Sequence, residues 1–467
     1  MNTNALHIDA LILAAGKGTR MPSPRPKVLQ TLLGETMLTL VTSTLHAMPR
    51  VRGIFTMVGC EAAMVSAEAE AAAARLGRAA YCIEQKEQKG TGHALMTAMP
   101  HLEGDGRLLV VNGDAPLLTA EVLNRFLDGA EGADVAFLSL ELEDAASYGR
   151  VVRENGAVKA IVEAKDFDPA IYGPKEDAHE VNTGIYLFSL PAVRQLLPRL
   201  SNNNKSGEYY ITDLVSLGIE AGMDVRGIKA EGAGCDAGAL LGVNNPVELA
   251  AAEEILQSRR NAAILASGVV MHGLSGIRIS PLSTVEPGAE IYGPCEIYGS
   301  SLIKNGARVR SHCVIRDAVI DGGVELREFC HIEGAEVRSG AIVGPYARLR
   351  PQALVDEKAH VGNFVELKKT YLGKGSKANH FTYLGDTEVG PGVNFGAGTI
   401  TCNYDGKNKF KTIVGADCFI GSNTSLVAPV TIGDRALIGA GSVIVEDVPA
   451  GKMALGRGRQ VIKDRRK

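Results

Sequence analysis

A branched aliphatic residue recurs at every sixth position at Ile279, Val285, Ile291, Ile297, Ile303, Val309 and Ile315. The same beat returns at Val414, Ile420, Leu426, Ile432, Ile438 and Ile444. A helix of 3.6 residues per turn would carry these side chains around its circumference, and an ordinary strand would need apolar partners at alternate positions. A beat of six is instead the mark of a parallel β-helix of hexapeptides. Each hexad supplies a short strand and a turn, three hexads close a triangular coil, and the aliphatic residue points to the axis. Glycines follow the aliphatic positions in IGSN, IGDR and IGAG, where turns favour a residue that tolerates positive φ. At roughly 18 residues per coil, the span from Gly268 to Pro449 holds about ten coils.

The chain has 467 residues, and at roughly 100 to 200 residues per domain it should form two to four domains. Its hydrophobic and charged contents, 45% and 22%, are ordinary for a soluble globular protein. A net charge of -4 argues against a nucleic-acid partner. The tail after Gly456 is nonetheless basic, with Arg457, Arg459, Lys463, Arg465, Arg466 and Lys467 against Asp464; it suits either a solvated end or a place beside an anionic ligand. No apolar run approaches the ~20 residues of a membrane span, and the run from Ala10 to Ala15 leads into glycines rather than a signal-peptide cleavage site. No membrane partner is expected. Cys60, Cys82, Cys235, Cys295, Cys313, Cys330, Cys402 and Cys418 form no CxxC pair and do not cluster with histidines, which reads as reduced thiols in a cytoplasmic protein.

From Ile8 to about Gly238 the pattern differs. Strand candidates at residues 10–13, 53–58, 108–111, 135–140 and 184–188 alternate with helical stretches such as 64–76 and 120–129. That alternation predicts a three-layer α/β sandwich around a mostly parallel sheet, with ligands at the carboxyl ends of the strands. The first such edge is LILAAGKGTRMPSPRPK, residues 11–27. Its glycines let backbone N–H groups approach a phosphate or base, while Arg20 and Lys27 supply charge for a polyphosphate. It is neither GxGxxG nor GxxxxGK[ST], so dinucleotide-binding and P-loop readings are excluded. Residues 245–267 hold strong helix formers and few turn residues, and predict one long helix before the hexads begin.

Between Ile315 and Val414 the spacing slips, and unusual residues gather there. GPYARLRP carries Arg348 and Arg350, HVGNFVELKK carries Lys368, and KANHFTYLGD carries His380 and Tyr383. Asn394 follows, and TCNYDGKNKFK, residues 401–411, is too long for a hexad. Insertions in a solenoid emerge as loops, often on the binding face.

The GxGTRM…PK stretch resembles the signature of sugar-nucleotide pyrophosphorylases. QKEQKGTGHA, LVVNGDAPLL, YGRVV, IVEAKD, EVNTGIY and GVNNP follow in the order that family has them. The segments from Arg348 onward resemble the acetyltransferase half of the bacterial bifunctional N-acetylglucosamine-1-phosphate uridyltransferase/glucosamine-1-phosphate acetyltransferase family, so the resemblance covers nearly the whole chain. It implies a Rossmann-like α/β nucleotidyltransferase domain at residues 1–240, with a mixed, mostly parallel sheet. A linker helix at 241–267 and a left-handed parallel β-helix with a basic tail at 268–467 would follow.

On the nucleotidyl side the resemblance implies UTP and sugar contacts from Leu13, Ala14, Ala15, Gly16, Lys27, Gln85, Gly90, Thr91, Asn112, Gly113, Asp114, Gly149, Glu163, Asn182 and Asn244. Arg20 and Lys27 would be catalytic, and Asp114 and Asn244 would hold Mg²⁺. These residue types suit the reaction, since phosphoryl transfer is mainly positioning and charge neutralisation and Mg²⁺ keeps few protein ligands and several waters. The segment between Glu163 and Asn182, with Pro169, Tyr172 and Pro174, is longer than the family pattern leads one to expect.

On the acetyl side it implies His380 as proton acceptor, a role suited to a side chain that titrates near neutral pH. Arg350, Lys368, Tyr383 and Asn394 would bind glucosamine 1-phosphate. Ala397, Asn403, Tyr404, Ser422, Ala440 and Arg457 would bind acetyl-CoA, with Ser422 also stabilising the oxyanion. A homotrimer through the β-helix is implied as well, together with a role in UDP-N-acetylglucosamine synthesis for peptidoglycan, lipid A and cell shape. Two other readings are a pyrophosphorylase whose β-helix only regulates or oligomerises it, and a non-catalytic scaffold. The first would leave His380 and the inserted loop without a role, and the second would do the same to Lys27 and Asp114.

Overall fold

The computed structural model describes residues 7–18, 20–21, 23–145, 147–174, 177–230 and 237–465. Thr19 and Pro22 of the glycine-rich stretch, Cys235, and Arg466 and Lys467 of the tail lie outside the described residues. The chain divides into two compact units, Met1–Leu256 and Gln257–Lys467.

In the first unit seven strands stand side by side in the order Val225–Lys229, Val135–Glu141, Glu180–Ser189, Arg107–Asn112, Ile8–Leu13, Val51–Val58, Tyr81–Glu84. Neighbours are parallel except at Glu180–Ser189, which runs antiparallel to both of its neighbours. A hairpin, Arg150–Glu154 with Ala157–Val162, is attached to that strand. The apolar run Ala10–Leu13 within strand Ile8–Leu13 follows from burial on both faces, and the one buried carboxylate of the strand, Asp9, is paired with Arg52 at 3.1 Å. Ala10 and Ile12 enter one core with the helices Met37–His46, Ala62–Arg75 and Ala120–Gly129. Leu11 enters the other, with Thr91–Ala98, Leu190–Leu196 and Asp213–Glu220. The strands expected from sequence are all present, and the helix expected at 120–129 spans those residues. The edge strand Tyr81–Glu84 and the hairpin were not foreseen, because exposed residues interrupt their apolar patterns.

The long segment after Glu163 contains a short helix, Pro169–Tyr172, capped by Asp168. The helix Pro246–Ala266 carries Leu249, Ala252, Ile255 and Leu256 on the core around Leu32 and Met37. Further along it, Asn261 donates to the carbonyl of Ile277 at 3.0 Å.

The second unit is a three-faced left-handed parallel β-helix. Its first face runs from Val270–His272 to Met453–Ala454 in 11 strands, its second from Ile277–Ile279 to Val443–Ile444 in 10, and its third from Thr284–Val285 to Val430–Ile432 in 9. Ile279 pairs with Ile297, and Val285 with Ile303, one coil later. The slip between Ile315 and Val414 does not break the core. Buried positions continue through Ile320, Leu326, Ile332, Val337, Val343, Leu349, Val355, Val361, Leu367, Leu372, Ala378, Leu384, Val389, Phe395 and Thr401. One residue is missing at each of the steps Ile315–Ile320, Ile332–Val337, Leu367–Leu372 and Leu384–Val389. All four steps lie at the edge where the second face turns into the third, and the insertion between Thr401 and Val414 leaves from that same edge.

The edge between the first and second faces is built differently. His312, Phe329, Tyr346, Phe364 and Phe381 succeed one another there at positive φ, with ring centroids 4.5 to 5.4 Å apart. Beyond Phe381 the same position is held by Gly398, Asn423 and Gly441. The large rings therefore stop after Phe381, and smaller residues continue the edge.

Candidate active sites

The carboxyl end of Ile8–Leu13 opens into the glycine-rich turn. Gly18 has φ 61°, and a Cβ there would lie 2.6 Å from Lys27 Cβ, so the turn holds Lys27 against it. Lys27 Nζ reaches Asp114 Oδ2 at 2.5 Å and Asn244 Oδ1 at 2.8 Å, and Arg20 Nη2 reaches Asn244 Oδ1 at 3.0 Å. These residues line a cavity of about 230 Å³ with Leu13, Ala14 and Gly16. Gly242 brings Asn244 close, since a Cβ on it would lie 2.6 Å from Asp114 Oδ1. That oxygen is buried and has no hydrogen-bond partner among the described residues. An orphaned carboxylate oxygen near an amide oxygen is a donor set that fits a hard cation. Tyr148, which motif reading passed over in favour of Gly149, lies beside Asn244 and Asp114; burial, then Glu248 and Asp114, raises its pKa.

A second cavity of about 490 Å³ is lined by Ala15, Gly16, Gln85, Gly90, Thr91 and Asn112. Gln85 is buried, and its Nε2 donates to the Gly90 carbonyl at 3.1 Å and to His93 Nδ1 at 3.0 Å. The protein engages both amide protons, so the carbonyl oxygen is the group left for a base edge. Gly90 has φ 102°, and a Cβ there would lie 2.5 Å from the Tyr209 carbonyl. Thr91 Oγ1 accepts from the Ile211 N–H at 3.1 Å. Gly113 closes the turn after Arg107–Asn112 by donating to the Leu13 carbonyl at 3.0 Å.

Gly149, Glu163 and Asn182 also meet. Asn182 N–H donates to the Gly149 carbonyl at 2.9 Å, and Thr212 Oγ1 donates to Glu163 Oε1 at 3.2 Å. Burial pushes the Glu163 carboxyl above its ordinary range. Thr212 is a site neighbour that the motifs did not reveal.

On the β-helix, His380 ends a strand of the first face, and Ala397, Ser422 and Ala440 follow it coil by coil along the edge described above. All four are exposed. His380 Nδ1 and Asn363 Oδ1 are 2.8 Å apart; the amide oxygen only accepts, which assigns the ring proton to Nδ1 and leaves Nε2 as the basic atom. Across the second face, Arg350 Nη1 pairs with Glu366 Oε1 at 2.9 Å, and Tyr383 lies in register with Glu366. Lys368 Nζ lies 3.6 Å from Asp386 Oδ2, and Asn403 Nδ2 donates to that same oxygen at 2.6 Å.

The Lys409 amine meets Lys368, and this contact lowers the Lys409 pKa. Lys409 is a further cation from the inserted loop that the sequence reading did not single out. Tyr404, exposed on that loop, donates to the Gly406 carbonyl at 2.6 Å. Arg457 Nη1 donates to the Ala440 carbonyl at 2.7 Å. Asn394 stands apart. It opens a strand on the first face, in register with Lys377 and Phe419, whereas Tyr383 and Lys368 belong to the second.

These arrangements define a nucleotidyltransferase-type α/β domain followed by a hexapeptide transferase-type β-helix. Residues 10–179 match the model of the MobA-like NTP transferase domain, and residues 411–446 match the bacterial transferase hexapeptide model of six repeats. The chain is 56% identical over 453 residues to the bifunctional protein GlmU of Nitratidesulfovibrio vulgaris (strain DP4), covering 97% of each chain. It is 44% identical to that of Lawsonia intracellularis, covering 99% of this chain and 98% of the relative. Against that of Acinetobacter baylyi it is 40% identical, covering 97% and 96%. The chain belongs to the GlmU family of bifunctional proteins. It is a bifunctional uridyltransferase and acetyltransferase, and the nucleotidyltransferases of its family are metal-dependent.

Proposed function

We propose that the enzyme acetylates glucosamine 1-phosphate from acetyl-CoA on the β-helix, then joins the resulting N-acetylglucosamine 1-phosphate to UMP from UTP in the α/β domain. The observation that carries this reading is the pairing of two separately built sites: a phosphate-side cluster in which Lys27 gathers the oxygens of Asp114 and Asn244, and an imidazole nitrogen left free on His380.

In uridylyl transfer the sugar phosphate oxygen attacks the α-phosphorus of UTP, the bond to the bridging oxygen breaks, and pyrophosphate leaves with the electron pair. Lys27 and Arg20 neutralise phosphate charge, which is where such reactions gain most of their rate. Mg²⁺, held by Asp114 and Asn244 with several waters, would supply further neutralisation of the phosphates. The carbonyl oxygen of Gln85 matches the N3–H of uracil, a proton that cytosine lacks. Backbone groups at Leu13 to Gly16, and at Gly90, Thr91, Asn112 and Gly113, hold the nucleotide. Gly149, Glu163 and Asn182 face the sugar.

In acetyl transfer the sugar amine attacks the thioester carbonyl while His380 Nε2 takes its proton, and coenzyme A leaves as the thiolate. Ser422 donates to the developing oxyanion. Arg350, Lys368 and Lys409 meet the sugar phosphate at the far edge of the second face, with Tyr383 and Asn403 between or beside these groups. Three strand residues at ~3.3 Å each separate the two edges, the scale of a hexosamine 1-phosphate. Ala397 and Ala440 leave room for the pantetheine arm, and Arg457 and Tyr404 meet coenzyme A.

Asn394 sits on another face of its own chain, which supports a homotrimer whose acetyl sites combine residues from adjacent copies. The exposed rings of Phe329, Tyr346, Phe364 and Phe381 support the same assembly. Cytoplasmic residence follows from the cosubstrates, UTP and acetyl-CoA, and the described cysteines are free thiols. No helix among the described residues is long and apolar enough to cross a membrane. The test is to supply the full chain with glucosamine 1-phosphate, acetyl-CoA, UTP and Mg²⁺. UDP-N-acetylglucosamine should appear by mass spectrometry, and its absence with both half-substrates present would sink the reading.

A further inference from the structure

Strand Glu180–Ser189 is irregular where it passes the sugar-side residues. Asn182 pairs with Ser139 and Tyr186 with Phe137, so three residues of this strand face one of its neighbour. Gly184 makes the bulge possible at φ 79°, and its missing side chain is occupied by Asn112, whose Nδ2 lies 2.2 Å from where a Cβ would be. The bulge brings Tyr186 back under Asn182. Asn182 Nδ2 donates to the Tyr186 hydroxyl oxygen at 2.6 Å, and the Gly184 N–H donates to Asn182 Oδ1 at 3.1 Å.

Both ends of the Asn182 amide are therefore fixed by its own strand. Turning the amide over would set its NH₂ against the Gly184 N–H, donor against donor, so that N–H fixes which end is which, while the phenol holds the amide in place. One N–H and one lone pair remain for a ligand. The Tyr186 ring is 1% exposed and stacks on Phe188 at 5.6 Å. Burial, and then the charge of Glu163, keep its hydroxyl protonated far above the ordinary range. A buried tyrosine hydroxyl needs a partner, and here that partner is a residue assigned to the sugar rather than part of the core.

We propose that Tyr186 is a positioning residue for the sugar 1-phosphate: it locks the Asn182 amide so that its free N–H meets an acceptor on the amino sugar. The proposal rests on the reading that Asn182 faces the sugar. It concerns substrate recognition and involves no covalent step.

Tyr186→Phe removes one oxygen and leaves the ring on Phe188. In the full-length enzyme, pyrophosphate release is measured while N-acetylglucosamine 1-phosphate and UTP are varied separately, alongside coenzyme A release and thermal melting. KM for the sugar phosphate should rise roughly three- to tenfold, the loss of one oriented hydrogen bond, while KM for UTP and coenzyme A release stay within about twofold. A purely structural tyrosine would lower the melting temperature without separating the two KM values. An unchanged sugar-phosphate KM, or an equal rise in both, overturns the proposal.

Asn182→Ala separates the two levels of the argument. If it raises the sugar-phosphate KM and Tyr186→Phe does not, the positioning role fails alone. If Asn182→Ala leaves that KM unchanged, the sugar-side reading fails with it. The double variant should match Asn182→Ala, because the phenol acts only through the amide; additive losses contradict the proposal.

Discussion

Asn363→Ala is expected to slow acetyl transfer about fivefold without touching uridylyl transfer. Asn363 and His380 are Cα partners on adjacent coils of the first face, so the backbone register itself delivers the amide to the imidazole. The bond between Oδ1 and Nδ1 is 2.8 Å. It holds the ring plane and the tautomer that leaves Nε2 free to take a proton. A neutral hydrogen bond of this kind contributes about 1 kcal/mol, and with 1.36 kcal/mol per tenfold in rate the loss is about fivefold. Removing the imidazole itself should cost roughly 10² to 10⁴ in rate. The assay is free-thiol detection of coenzyme A at saturating substrates, with pyrophosphate release and melting temperature as controls. Full acetylation by Asn363→Ala would refute the positioning argument, and a parallel loss of both activities would mean that the β-helix itself had been damaged.

Gly242→Ala should abolish most pyrophosphate release while coenzyme A release persists, because the new Cβ would press on Asp114 Oδ1 from 2.6 Å; unaltered pyrophosphate release would show that the Asp114–Asn244 spacing is not critical. Asp213 is held at a pKa of about 6, against 3.8 ordinarily, by burial and by the charge of Asp166. The folded state therefore keeps a proton that the unfolded chain gives up. The associated stability is complete below about pH 4 and lost as pH rises through about 6. The ceiling is about 3 kcal/mol, reduced by solvent screening to about 1–2. Asp213→Asn should thus flatten the fall in stability between pH 4 and 7, measured by urea unfolding, and an unchanged pH dependence would contradict that assignment. Ile315→Ala, at a fully buried axial position, should cost about 2–5 kcal/mol; calorimetry should show the loss, and a melting temperature within a degree of the parent would contradict the axial packing.

The beat from Ile279 to Ile315 made half of the fold legible, since a side chain at every sixth position can converge only on a triangular axis. The stretch from Ile315 to Val414 was harder, because a one-residue deletion at a single edge shifts the phase and hides an unbroken core from a fixed-period search. Once a coil of 17 residues is recognised, Asn363 becomes legible as the residue one coil before His380. Lys27, Asp114 and Asn244 were legible only as separate motif members; their closure into one cradle depends on Gly18 and Gly242 permitting close approach. Tyr186 closes the EVNTGIY motif, but nothing in the sequence gives it a role. It looks like an ordinary core tyrosine until the bulge at Gly184 carries its hydroxyl to Asn182. Lys409 was equally hidden, being brought to Lys368 by the fold of the inserted loop.

Two substitutions assayed in both half-reactions test most directly whether one chain carries two independent active sites. His380→Ala should slow coenzyme A release by roughly 10² to 10⁴ and leave pyrophosphate release intact, and Asp114→Ala should cripple pyrophosphate release and leave coenzyme A release intact. Full acetylation by His380→Ala, or the loss of both activities in either variant with the fold retained, would contradict it.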